Sequence, residues 1–311
     1  MRAVRVAGPG AIETVEVPTP VADEGVRVRV SACGICGSDL HLVGWGVQVT
    51  LGHEIAGVLD DGTPVVVEPQ VPCGTCDRCT AGMRNHCRTL LERMYGVSLD
   101  GGLADEIVVA PGTVIPVPAT MAPRVAALAE PLAVGIHGLN RAAIESGQRV
   151  LVVGGGSIGL LALAGAVARG AEVDLSARHP HQAAAGEALG ATNRMAVDYD
   201  VVIDAAGTQT ALDAAMGAAR PGGAVLSLGT YWDPVHLDTG FGMREVSLIP
   251  ASTYGHQHGR REFLDAVDLL AARPEIADAV VTHEVPLAEA ARAFAIAGDR
   301  ASGALKVLIA P

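Results

Sequence analysis

Short runs in which apolar and polar positions alternate dominate the first third of the chain. "RAVRV", "VRVRV" and "PVVVEP" are rich in β-branched residues and bounded by Gly, Pro or Asp, so they predict strands. From about residue 135 the pattern changes. "RVLVVG" precedes a helical "SIGLLALAGAVARG", "AEVDLSAR" precedes "PHQAAAGEALG", "YDVVIDAAG" precedes "TQTALDAAMGAA", and "GGAVLSLG" follows. Strands alternating with helices predict an α/β fold with a doubly wound parallel sheet. The tail "ADAVVTHEVPLAEAARAFAIAGDRASGALKVLIAP" returns to a strand–helix–strand unit. The uncharged run from Val150 to Ala168 approaches the length of a membrane span. Gly154, Gly155 and Gly156 interrupt it, which predicts a buried strand, a turn and a buried helix instead.

Composition narrows the class. At 311 residues the chain can hold two ordinary domains, and with half its residues hydrophobic it reads as folded and globular. Its 38 glycines suit a fold with many tight strand-to-helix turns. A net charge of −12 excludes the basic footprint of a nucleic-acid binder. The N-terminus "MRAVRVAGPGAIETVEV" lacks the apolar core of a secretory signal, so a cytoplasmic protein with neither nucleic-acid nor membrane partner is expected. There thiols stay reduced, and cysteines serve metals or catalysis rather than disulfides.

All six cysteines fall between Cys33 and Cys87, far from the triple glycine, so two domains of different chemistry are expected. Cys73, Cys76, Cys79 and Cys87 are spaced C-x2-C-x2-C-x7-C. Four thiolates close a tetrahedral zinc shell, the structural type of site. Gly74 and Gly82 allow the turns. Gly154, Gly156 and Gly159 form G-x-G-x-x-G between a strand and a helix, the context of a dinucleotide site. Ser157 and Ile158 open that helix, whose N-terminus favours the pyrophosphate. Gly207 and Gly229, after the later strands, join the expected cofactor surface. An NAD site usually places an acid at the end of the second strand. Here Asp174 lies inside that strand, and Ser176 and Ala177 followed by Arg178 suit a 2′-phosphate, with His179 as a further contact. This favours NADP(H) over NAD(H).

"SACGICGSDLH" leaves more open. Cys33 and Cys36 make a C-x-x-C that fits a redox dithiol, half of a zinc site, or one working cysteine beside a bystander. "LGHEIAG" supplies His53 and Glu54, and neighbours on a regular strand face opposite ways, so shared ligation needs a bend that Gly52 permits. Without it, Glu54 stands behind the ligands. Glu130 in "LAEPLAVGIHG" is a further acid.

These pieces resemble the zinc-dependent medium-chain dehydrogenases/reductases of the alcohol dehydrogenase superfamily, nearest to the sorbitol, threonine and glucose dehydrogenase branch. The resemblance rests on "GICGSDLH", "GHEIAG", the four-cysteine lobe, "DGGLADE", "AEPLAVGIHG", "VLVVGGGSIG" and "VTHEVPLAEAARAF", nearly end to end. It implies a GroES-like, β-rich catalytic domain from residues 1–134 and 252–311, with the cysteine lobe at about 72–90. A Rossmann domain, residues 135–251, is inserted, and the active site lies in the cleft. It implies a catalytic zinc at Cys36, His53 and Glu54, with Glu130 an exchangeable or water-linked partner, so two Zn2+ per chain. Ser38 and His41 become a proton relay and Asp39 a support for His53, while Cys33 has no matching role. It further implies a homodimer or homotetramer through the Rossmann domain.

The expected activity is hydride transfer between NADP(H) and a secondary alcohol, polyol or sugar hydroxyl. The competing readings are an NAD-linked enzyme of the same type, a zinc-independent enoyl or quinone reductase, and a non-catalytic dinucleotide-binding protein. Two segments are short for the family: "LVGWGVQVTLG" between His41 and His53, and "VLDDGTPVVVEP". Both lie near the expected substrate entrance, with Trp45 a candidate pocket wall.

Overall fold

The alternating runs near the N-terminus become strands Arg2–Gly8, Ala11–Glu16 and Val26–Gly34. The computed structural model describes every residue except Pro9, Asn193, Met195 and Arg300. The chain divides into two units, Met1–Glu130 with His258–Pro311, and Pro131–Gln257.

In the first unit a seven-stranded sheet carries strands from both ends of the sequence. Its order is Val281–Pro286, Lys306–Ala310, Val26–Gly34, Glu54–Val58, Pro64–Val67 and Val114–Pro116, with Glu106–Val109 also paired to Val26–Gly34. Its core includes Val28, Val30, Cys33, Leu51, Ile55, Val65, Val307 and Ile309. Each such aliphatic side chain stabilises the fold by about 1.5–3 kcal/mol when fully buried. Leu308 pairs with Gly34, and Gly34 pairs with Glu54, so the three lie abreast on adjacent strands.

Helix Gly37–Trp45 follows directly from strand Val26–Gly34. Cys36 is its N-cap, and the Asp39 carboxylate accepts from the Cys36 N–H at 2.9 Å, closing the first turn. Gly46 ends the helix at φ 70°. The four-cysteine segment has only short helical turns, Asp77–Thr80, Arg84–His86 and Leu90–Glu92. Its own core is Cys87, Leu90 and Met94, with Cys73, Cys76, Cys79 and Val97 packed against it.

The second unit holds five parallel strands in the order Ser247–Pro250, Ala219–Ser227, Tyr199–Asp204, Arg149–Val153, Glu172–Ser176. Strand order reverses between Arg149–Val153 and Tyr199–Asp204, the switch point where such sheets bind ligands. Helix Ser157–Ala168 is apolar on every side and largely buried, so its long uncharged run belongs to a globular core. No helix among the described residues is long and apolar enough to cross a membrane. The edge strand Ser247–Pro250 is not legible from pattern, because its four residues, after Glu245 at φ 51°, are too few to show a period.

Candidate active site and metal centres

Gly52 adopts φ +94°, which turns the chain before strand Glu54–Val58. His53 therefore lies outside the strand and Glu54 begins it, so the alternation of a regular strand does not separate them. One ligand atom each from Cys36, His53 and Glu54 lie within 4.8 Å of one another. His53 Nδ1 faces Asp39 Oδ1 at 3.4 Å. Neither atom has a hydrogen-bond partner among the described residues, although both are buried. A thiol, an imidazole and a carboxylate converging in a buried place fit the donor preferences of zinc. In the metal-free protein, burial opposes charge on His53. Asp39 and then Cys36 outweigh it and hold the imidazole well above the ordinary histidine value. That proton must leave when a metal binds.

Glu130 lies outside the triplet but is buried near it, in the first turn of helix Ala129–Arg141. Burial pushes its carboxyl up to about 7, with His53 and Lys306 pulling down and Glu54 and Asp39 pushing up. Ser38 and His41 are half-buried on helix Gly37–Trp45, three residues apart and so on one side of it. The His41 ring centroid is 6.4 Å from that of Trp45, which is 64% exposed. Cys33 is not in the triplet. It faces the apolar core, where burial, reinforced by Asp39 and Glu54, drives its thiol far above the ordinary range. Such a thiol is unreactive.

Sequence reasoning missed Lys306. Its ammonium donates to both Glu54 oxygens, at 2.6 and 2.8 Å, and to the Ile35 carbonyl at 3.0 Å. Lys306 is 2% exposed and Glu54 fully buried. Burial pulls the lysine down, but Glu54, then Cys36, outweigh it and raise its value. A signal was present: Lys306 is the only lysine in the chain, every other Lys or Arg position being arginine.

The second cluster is Cys73, Cys76, Cys79 and Cys87, all free thiols with their sulfurs within 4.8 Å of one another. Cys73 and Cys79 Sγ are 3.9 Å apart. A tetrahedron with metal–sulfur bonds of about 2.3 Å has edges of about 3.8 Å. Backbone N–H groups aim at the sulfurs, from Cys73 to Cys87 Sγ at 3.3 Å and from Cys76 to Cys73 Sγ at 3.4 Å. The N–H groups of Thr75 and Cys76 pull the Cys73 thiol down to about 5, while burial pushes Cys79 up to about 12. The cluster fits a closed metal shell.

In the second unit Gly154 ends strand Arg149–Val153 at φ +110°, and Gly156 caps helix Ser157–Ala168. A Cβ on Gly159 would fall on the Gly154 carbonyl, whereas one on Gly156 would meet open space. The turn is thus closed on its inner side and open where Ser157 and Ile158 begin the helix. Ser176 ends its strand, and Arg178 is exposed beyond it. His179 caps helix Pro180–Leu189, its ring stacked on His181 with centroids 5.4 Å apart. Asp174 is turned inward, accepting from the Thr192 hydroxyl at 2.5 Å, the Arg194 N–H at 2.9 Å and the Tyr199 hydroxyl at 2.8 Å. Gly207 and Gly229 touch each other so closely that neither has room for a Cβ. Asp204, also missed from sequence, holds this pair of turns. Its carboxylate accepts from the N–H groups of Ala206 and Gly207 at 2.9 and 3.0 Å and from the Tyr231 hydroxyl at 2.7 Å.

The chain is similar to known dehydrogenases in sequence and in fold. A family model for the alcohol dehydrogenase GroES-like domain matches residues 22–119. The chain is 33% identical to L-galactonate-5-dehydrogenase of Escherichia coli (strain K12), over 90% of this chain and 89% of the relative. It is 32% identical to D-altritol 5-dehydrogenase of Agrobacterium fabrum (strain C58 / ATCC 33970), over 93% and 94%. The solved zinc-binding dehydrogenase target of Sinorhizobium meliloti 1021, bound to NADP, matches with TM-score 0.87 and 31% identity, over 100% of this chain and 99% of the other. A GroES-like unit with a Cys–His–Glu triplet, in a chain that also has a Rossmann-type unit, defines a class of metal-dependent oxidoreductases. The chain belongs to the zinc-dependent medium-chain alcohol dehydrogenase family.

Proposed function

We propose that the protein is a zinc-dependent, NADP(H)-linked dehydrogenase that interconverts a secondary hydroxyl of a polyol or sugar acid with its carbonyl. The convergence of Cys36, His53 and Glu54 carries this reading. The relatives named for hydroxyl oxidation of sugar acids and polyols support the substrate class. When bound, zinc would supply a Lewis acid that makes a hydroxyl more acidic, and the nicotinamide would supply the hydride acceptor.

The chain's own residues do the rest. Cys36, His53 and Glu54 hold the metal, and Asp39 at Nδ1 leaves Nε2 of His53 as the donor nitrogen. Glu130, buried in the first turn of helix Ala129–Arg141, is placed to exchange a proton or accept from a water beside the centre. Ser38 and His41 pass the hydroxyl proton outward. The four thiolates of Cys73, Cys76, Cys79 and Cys87 hold a second, structural zinc. Gly154, Gly156 and the start of helix Ser157–Ala168 receive the pyrophosphate. Asp174 is engaged within its own unit, which leaves Ser176, Arg178 and His179 to meet a 2′-phosphate. NADP in the Sinorhizobium meliloti relative supports that choice. The outer edge of the second unit's sheet, strand Ser247–Pro250, supports pairing between copies.

The test combines metal analysis with a panel of polyols, sugar acids and simple secondary alcohols, each with NADP+ and NAD+. Two zincs per chain and formation of reduced cofactor are expected. One zinc, retained only in the cysteine lobe, would sink the reading and favour a zinc-free reductase. Arg178→Ala is expected to lower kcat/KM for NADP+ about tenfold and leave NAD+ within about twofold. An unchanged cofactor ratio would remove Arg178 from the 2′-phosphate site.

A further inference from the structure

We propose that Asp100 is a positioning residue for His53, acting through the clamp that "DGGLADE" forms on the turn before it. This rests on the assignment of Cys36, His53 and Glu54 to a zinc centre. The Asp100 carboxylate accepts from the Thr50 N–H at 2.7 Å, three residues before His53. The next residues run along the same segment. Gly101 donates its N–H to the Thr50 carbonyl at 2.8 Å, Gly102 to that of Gly52 at 2.8 Å and Leu103 to that of Leu51 at 2.9 Å. Leu51 in turn donates to the Val4 carbonyl at 3.2 Å, and Val4 to that of Leu103 at 2.8 Å, which closes the clamp. Little backbone freedom is left between Thr50 and Gly52.

Packing removes the remaining slack. A Cβ on Gly96 or on Gly101 would fall on the Gly52 carbonyl, so both lie directly against it. A Cβ on Gly52 itself would meet Leu103 and the Cys33 sulfur. Gly52 holds φ +94° and so sets the direction in which His53 leaves the turn. Ligands of a working site must be held to within about 0.5 Å. The clamp is what holds this one, with the Cys33 sulfur as filler against Gly52. Asp100 is its exposed end. Its side chain is 61% exposed, and Arg5 comes only to 3.6 Å from the same oxygen, too far for a hydrogen bond. Water can replace the carboxylate at the Thr50 N–H, but an exchanging water does not fix the segment in place. Loss of Asp100 is therefore felt at His53 rather than in the core.

The test measures zinc affinity of the full-length protein by competition with a chromogenic chelator, with the zinc of the cysteine lobe as internal reference. Asp100→Ala is expected to weaken the triplet site about tenfold and to leave the lobe site within about twofold. Asp100→Asn keeps an acceptor oxygen at the same place and is expected to restore wild-type affinity to within about threefold. An unchanged triplet site in Asp100→Ala, an equal loss at both sites, or an Asn variant as weak as the Ala variant would each overturn the proposal. If Asp100→Ala does not fold, hydrogen exchange in the wild-type protein reads the same link. With the lobe zinc in place throughout, filling the triplet with zinc is expected to slow exchange at the N–H groups of Gly101 and Gly102, which hold no ligand. Exchange there that ignores the triplet metal would overturn the proposal. Cys36→Ser and His53→Gln separate this from the reading beneath it. Triplet zinc bound as in the wild type by both variants would remove the centre itself, whatever Asp100→Ala shows.

Discussion

In the metal-free protein Glu130 ionises at about 7, where an ordinary glutamate ionises near 4.5. Burial is the main cause, so the cost falls on the charged form. A carboxyl raised on folding costs nothing below its unfolded value, and its cost grows as pH rises towards its folded value. Glu130→Gln removes that slope. Between about pH 5 and about pH 8, the metal-free variant is expected to gain about 2–3 kcal/mol relative to wild type, read by chemical denaturation. A gap that stays constant would show that Glu130 does not titrate on folding. Lys306 illustrates a different lesson at the same scale. Its partner Glu54 is 252 positions away in sequence, and no local pattern joins them. Only its rarity marked it, and rarity is not periodicity. Asp204 was hidden for a different reason. A buried acid at a strand end looks like a cofactor contact, while here its partners are the N–H groups just after it and Tyr231.

At the scale of elements, legibility followed locality. The Gly154–Gly159 turn could be read because strand, turn and helix are contiguous, and each glycine has a steric reason in that order. Gly159 carries the sharpest one, since its Cβ would overlap the Gly154 carbonyl. Gly159→Ala is expected to cost about 1–3 kcal/mol, as overpacking does, and to weaken cofactor binding, read by thermal shift with and without NADP+. An equally stable, equally binding variant would show that the turn can open. The cysteine lobe was legible from spacing alone, but its energetics come from structure. Its few apolar residues pack largely on the ligand cysteines themselves, so a chelator removes the element's organising centre. Limited trypsin digestion after chelation is expected to cut at Arg78, Arg84 or Arg88, all exposed in the lobe, before the rest of the chain. Equal resistance with and without chelator would mean that the lobe holds its form without metal.

For the whole molecule, the decisive fact is that the first unit draws its sheet from both ends of the sequence. The short apolar run in "ALKVLIAP" predicts a strand but not its neighbours, because register is set by partners far away in the chain. Strand Lys306–Ala310 proves to be interior, between Val281–Pro286 and Val26–Gly34. Deleting residues 306–311 would remove buried Val307 and Ile309, worth about 1.5–3 kcal/mol each, and expose two strand edges. It would also strand the buried Glu54 carboxylate without its cation, a loss of about 3–5 kcal/mol. Together these approach the whole stability of an ordinary domain, about 5–15 kcal/mol. The truncated protein is therefore expected to lose the cooperative unfolding transition of the first unit and to accumulate in the insoluble fraction. Lys306→Met keeps the strand and its apolar contacts, and is expected to remain soluble with a lowered midpoint. Calorimetry on both variants makes the comparison. A truncated chain that unfolds as cooperatively as wild type would show that the terminal strand decorates the sheet rather than completing it.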